Sequence, residues 1–80
     1  MIRTGADMIE RIYATDEEVL RIPVEELDPA FFDLSTGVAG DIVQKLVNYG
    51  QRAVVVGTLP PHSEHFADFA RECRQLRFVT

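Results

Sequence analysis

One stretch constrains this chain more than any other. Residues Phe31 to Gly57, FFDLSTGVAGDIVQKLVNYGQRAVVVG, read as a helix that runs directly into a strand. Leu34, Val38, Ala39, Ile42, Val43, Leu46 and Val47 repeat at the i, i+3, i+4 spacing of one apolar helical face. Asp41, Gln44, Lys45 and Asn48 occupy the opposite face. Gly50 stands where a C-terminal glycine stops a helix, and the helix is expected to open between Asp33 and Thr36. Ala53 to Val56 is an unbroken, mostly β-branched apolar run, the pattern of a strand covered on both faces.

The rest of the chain falls into line around that unit. Residues 4 to 14 predict an amphipathic helix, with Thr4 as N-cap, Asp7 in the first turn, and Met8, Ile9, Ile12 and Tyr13 as its apolar stripe. Val19 to Val24 predict a strand that lies at an edge or ends near Pro23, because proline cannot donate to a ladder. Asp28-Pro29 predicts a capped helical turn through Phe31 and Phe32. Gly57 to Pro61 is a loop, and Ser63 caps a helix whose stripe is Phe66, Ala67, Phe69, Ala70, Cys73 and Leu76. Arg77 to Thr80 predicts a last short strand. The order α-β-α-β-α-β implies an α/β fold with a small, mostly parallel sheet in one domain, residues 1–80.

Charge and cysteine usage exclude several function classes. The net charge is −5, and seven acids lie between Asp16 and Asp33 against Arg21 alone. A phosphate backbone is a poor partner for such a chain, and Arg71, Arg74 and Arg77 form the only basic cluster in sequence. A single cysteine, Cys73, allows no internal disulfide, which points to a reducing compartment. No apolar run approaches the ~20 residues of a membrane span, and Met1-Ile2-Arg3 opens no signal peptide, so a cytoplasmic chain is expected.

The run FFDL-x-TG-x-AG-x-I-x-QK-x-x-NY, the VVVG strand and F-x-x-F-x-x-E resemble a bacterial family known as domain of unknown function 4180. The resemblance covers roughly Asp7 to Val79 and is densest from Pro29 to Gly57. Ser35 replaces an expected basic residue, and Arg74 an expected asparagine. The family's element order resembles the STAS fold of anti-sigma-factor antagonists. That likeness implies a truncated STAS-like domain without the amino-terminal hairpin and carboxy-terminal helix. One hairpin strand would lie between the strands at Val19–Val24 and Ala53–Val56. Here those strands either pair directly or take a strand from another chain, so a homodimer is expected.

Five groups are candidate sites. Asp33, Ser35, Thr36 and Gly37 at the predicted helix start suit an anion or a phosphorylated hydroxyl, and resemble the Asp-Ser-Ser-Gly-like switch of STAS antagonists; capping alone explains the same residue types. Gly37 and Gly40, three apart, would share a helical face and permit close approach of the chain's own sheet or of a partner. Asp41, Gln44, Lys45 and Asn48 form either a recognition face or a solvated one. His62 and His65 lack a third ligand at zinc spacing. Cys73 lies on an apolar stripe, about 80° round the helix from His65, which favours packing over nucleophilic chemistry.

No base, nucleophile and orienting group fall together. The expected function is therefore a non-enzymatic interaction or regulatory module, without cofactor or metal. Its contact would use Gly37, Gly40, Asp41, Gln44, Lys45 and Asn48 on the helix 34–49 face. The alternative is a phosphate- or small-ligand-responsive switch at Asp33, Ser35 and Thr36. The expected partner is a second copy or another protein, rather than nucleic acid or membrane.

Overall fold

The computed structural model describes residues 1–80. Helix α1 (Gly5–Ala14) is followed by strand β1 (Val19–Pro23), then by three short 3-10 turns at Val24–Glu26, Pro29–Phe32 and Leu34–Thr36. Helix α2 (Val38–Asn48), strand β2 (Arg52–Val56), helix α3 (Glu64–Glu72) and strand β3 (Leu76–Val79) complete the chain.

The predicted caps form. Thr4 accepts a hydrogen bond from the Asp7 amide while the Asp7 carboxylate accepts from the Thr4 amide, a reciprocal capping box. Ser63 accepts from the Phe66 amide, and Asp28 from the Ala30 amide ahead of the Phe31-Phe32 turn. Gly50, at φ 62°, closes α2 as a Schellman motif, with Gln51 N–H reaching the Leu46 carbonyl and Gly50 N–H the Val47 carbonyl.

Two helix boundaries depart from the sequence reading, and each strand differs from it by one residue: β1 ends at Pro23, β2 starts at Arg52 and β3 runs Leu76–Val79. The main helix starts at Val38, because Leu34–Thr36 winds as a 3-10 turn that ends at Gly37 in the left-handed region, φ 77°. A 3-10 turn and an α-helix both repeat an apolar residue at three to four positions, so Leu34 looked helical from spacing alone. The stripe of α3 ends at Cys73, whose backbone is extended, and Leu76 is the first residue of β3.

The sheet is parallel throughout, in the order β1-β2-β3. β1 pairs directly with β2, Val19 opposite Arg52 through Pro23 opposite Val56, so the two strands close up with nothing between them. β2 pairs with β3, Ala53 opposite Leu76 through Val56 opposite Val79. β1 is an edge strand, and Pro23 is its last residue, as its missing N–H requires. The amino terminus adds a parallel bridge between Ile2 and Leu27, which buries Ile2.

The core lies on one side of the sheet. Leu20, Ile22, Ala53, Val55 and Leu76 point into a cluster that also takes Met8, Ile42, Leu46, Phe31, Phe32 and Phe66. Phe31, Phe32, Phe66 and Phe78 meet at ring-centroid distances of 5.2 to 6.3 Å, mostly edge-to-face. The expectation that Ala53–Val56 is covered on both faces is incorrect: Ala53 and Val55 are buried, whereas Val54 and Val56 are only half-buried and lie outside the core cluster. The topology explains this. Both crossovers step the same way across the sheet, and two crossovers of the usual right hand then place α2 and α3 on the same face.

Candidate functional site

The predicted switch segment is built from local hydrogen bonds. Asp33 Oδ1 accepts from the Ser35 amide at 3.0 Å and from Ser35 Oγ at 2.7 Å. The Thr36 hydroxyl donates toward the carbonyls of Ala30 (2.7 Å) and Asp33 (2.8 Å), and its oxygen accepts from the Val38 amide at 3.3 Å. The bonds from Ser35, side chain first and then backbone, hold the Asp33 carboxyl below its ordinary range. The segment therefore presents a persistent negative charge beside the start of α2, and both hydroxyl protons are already donated within the chain.

The two glycines do not share a helical face. Gly37 is a left-handed residue outside α2, a conformation an L side chain takes at a cost of roughly 1–2 kcal/mol. Gly40 is exposed, with open space where a Cβ would stand, so it makes no close approach to the sheet. The glycine that does admit a neighbour is Gly5. A Cβ there would meet the Asp41 carboxylate at 2.6–2.8 Å.

That contact redefines the polar face of α2. Asp41 Oδ2 accepts the Gly5 amide at 2.7 Å, so it satisfies an otherwise orphan N–H in the first turn of α1. Its other oxygen accepts from Lys45 Nζ at 3.0 Å. Lys45 first, and the Gly5 amide second, hold the Asp41 carboxyl below its ordinary range. Asp41, held by Lys45, thus ties α1 to α2, while Gln44 and Asn48 bond each other at 2.9 Å and remain exposed beside Gly40.

The remaining chemistry-bearing residues stay apart. His62 Nδ1 faces the Pro60 carbonyl at 2.8 Å and its ring meets Phe66 edge-on. No three His, Cys, Asp or Glu side chains come together as a metal cluster. Cys73 is half-buried at the end of α3, and burial, with the Glu72 charge second, raises its thiol above the ordinary value. At the carboxyl ends of the strands, Val24, Leu27, Phe32 and Leu59 line an apolar depression of about 460 Å³ beside Thr58.

A further open surface was not among the sequence candidates. Opposite the core, the sheet presents three rows set by the strand register: Val19 and Arg52; Arg21, Val54 and Arg77; Pro23, Val56 and Val79. Val19 is 41% and Val79 47% exposed. Arg74 and Gln75 extend the first row, where the face sinks into an open depression of about 770 Å³. Arg21, Arg52, Arg74 and Arg77 have no ion pair, whereas the other four basic residues, Arg3, Arg11, Lys45 and Arg71, each have one. Positions 21, 52 and 77 are remote in sequence, and only strand pairing brings them to one face. The available signal was alternation: each strand places an arginine where its core residues skip.

Residues 2–80 match the model of a family described as Domain of unknown function (DUF4180). No curated protein and no solved structure matches the chain.

Proposed function

The chain belongs to the domain of unknown function 4180 family, and we propose that it is a non-enzymatic interaction module that receives a partner on the open face of its sheet. One observation carries this reading: a parallel sheet, normally covered on both sides, leaves Val54 and Val56 only half-buried and Val79 exposed on one side. The local engagement of Asp33, Ser35, Thr36, Asp41 and His62 supports a binding role over a chemical one. The α2 face at Gly40, Gln44 and Asn48 is the second candidate contact, since it stays exposed while Asp41 and Lys45 are occupied.

The test is site-specific photo-crosslinking in cells that make the protein. A photoreactive side chain at Val79 or Arg21 samples the open face, one at Gln44 samples α2, and one at Glu10 serves as a control. Adducts at Val79 and Arg21 but not at Glu10 are expected. Adducts at Gln44 alone would move the contact to α2, and the absence of adducts from both faces would end the interaction reading.

A further inference from the structure

We infer that the occupant of the open sheet face is an acidic amphipathic α-helix of a partner protein, running antiparallel to the strands. The inference rests on the docking reading above and adds the chemistry of what docks. Three observations carry it.

The first is size. Three strands at ~4.8 Å spacing make a face about 10 Å wide, which matches the width of one helix. Strands of four to five residues are about 16 Å long, the length of roughly eleven helical residues. One helix covers the face, and covering a parallel sheet with helices is how such sheets are normally completed.

The second is charge. None of the 13 acids of the chain lies in a strand, and the four unpaired arginines all lie on or beside this face. They leave every other basic group paired elsewhere, so this is the positive surface of a net-negative molecule. Arginine suits the role, because its planar fork takes a carboxylate in a bidentate pair.

The third is the distribution of the two. Pro23, Val56 and Val79 form a wholly apolar row at the carboxyl ends of the strands, while the arginines lie in the other two rows. A matching helix has an apolar stripe with acids concentrated in its C-terminal half. Its negative dipole end then lies over the arginines, which sets the antiparallel direction.

The same observations disfavour other occupants. Single-stranded nucleic acid binds sheet faces by stacking bases on aromatic rings, and no aromatic side chain lies on these rows. A second copy docked face to face by a two-fold axis would set the arginines against themselves.

The test is a titration of the full chain, uniformly labelled with nitrogen-15, against a lactam-stapled helical peptide of about fourteen residues. The peptide has leucine along one stripe and glutamate beside it in the C-terminal half. Amide shifts should concentrate at Val54, Val56, Arg77 and Val79. Raising salt from about 50 to 500 mM should weaken binding roughly tenfold, since the contact joins exposed charges. Arg21→Gln with Arg77→Gln should weaken it by about tenfold as well, with the far-ultraviolet circular dichroism unchanged, because neither side chain has a partner to lose. Equal binding of the peptide with lysine for glutamate would overturn the inference. So would shifts confined to α2, binding of single-stranded RNA or phosphatidylglycerol vesicles while the peptide stays inert, or a dimer formed through this face. In each of those cases adducts at Val79 would still uphold the docking reading, which only the crosslinking can remove.

Discussion

Gly5→Ala tests the joint between α1 and α2. In an isolated helix the change stabilises by up to ~1 kcal/mol, because alanine loses less backbone freedom. Here the new Cβ would sit 2.6–2.8 Å from three atoms of the Asp41 carboxylate. Asp41 has only two side-chain torsions and is held by Lys45, so it must move away and release the Gly5 amide. Losing a hydrogen bond to a charged group costs about 1.5–3 kcal/mol. The balance is a net destabilisation of roughly 1 kcal/mol. Unfolding 80 residues at ~2.1 cal/mol/K each gives about 170 cal/mol/K, so the melting temperature should fall by about 6 °C.

A double-mutant cycle isolates the cause. Asp41→Ala alone should cost about 1 kcal/mol, as the loss of a capping acceptor does. Adding Gly5→Ala to that background should then stabilise, because the carboxylate it meets is gone and only the helix preference remains. The assay is urea denaturation followed by circular dichroism. The reasoning is refuted if Gly5→Ala stabilises the wild type, or has the same effect in both backgrounds.

Three further perturbations have defined outcomes. Thr36→Val removes the acceptor for the Val38 amide and the donor to the Ala30 and Asp33 carbonyls, and should cost about 1 kcal/mol; an unchanged melting temperature would show those bonds contribute nothing. Folding depresses the carboxyls of Asp7, Asp33 and Asp41, so their stabilisation is present above the ordinary value of 3.8 and is lost as pH falls below it, through the lower values of the folded chain. The urea midpoint should therefore decline as pH is lowered below about 4, and this decline should shrink in Asp41→Asn. Cys73 should react with a thiol reagent more slowly in the native chain than in urea at pH 8, because burial raises its thiol; equal rates would place the end of α3 in solvent.

Local chemistry was legible in this sequence, and non-local geometry was not. Thr4, Asp28, Ser63 and Gly50 act within a few residues of themselves, and each cap or stop forms where its type and spacing place it. The family was legible for the same reason, since its motif is one contiguous stretch. The errors arise where two geometries share a period. Leu34 continues the α2 stripe but belongs to a 3-10 turn, and Leu76 continues the α3 stripe but opens β3. Ala53–Val56 looked buried on both sides because a run of valines carries no information about which face is covered. Glycine was misread in the opposite sense. Gly37 and Gly40 drew attention by their spacing, yet the close contact is at Gly5, whose neighbour lies 36 residues away.

The open face and the sheet edges offer a partner different handholds, and the difference favours recognition by side chains. β1 ends in Pro23, which has no N–H to lend, and β3 is only four residues long, so neither edge offers a long ladder to an incoming strand. Backbone pairing is also indifferent to side-chain identity, and would select partners weakly. The face offers the reverse: its backbone is already paired within the sheet, and what it presents is a row of apolar side chains beside unpaired arginines. Burial of the valines supplies non-directional attraction, while the arginines penalise any occupant that leaves them desolvated without carboxylates. Selection by charge and attraction by apolar area are then separable, so Arg21 and Arg77 should govern which helices bind, and Val54, Val56 and Val79 how tightly.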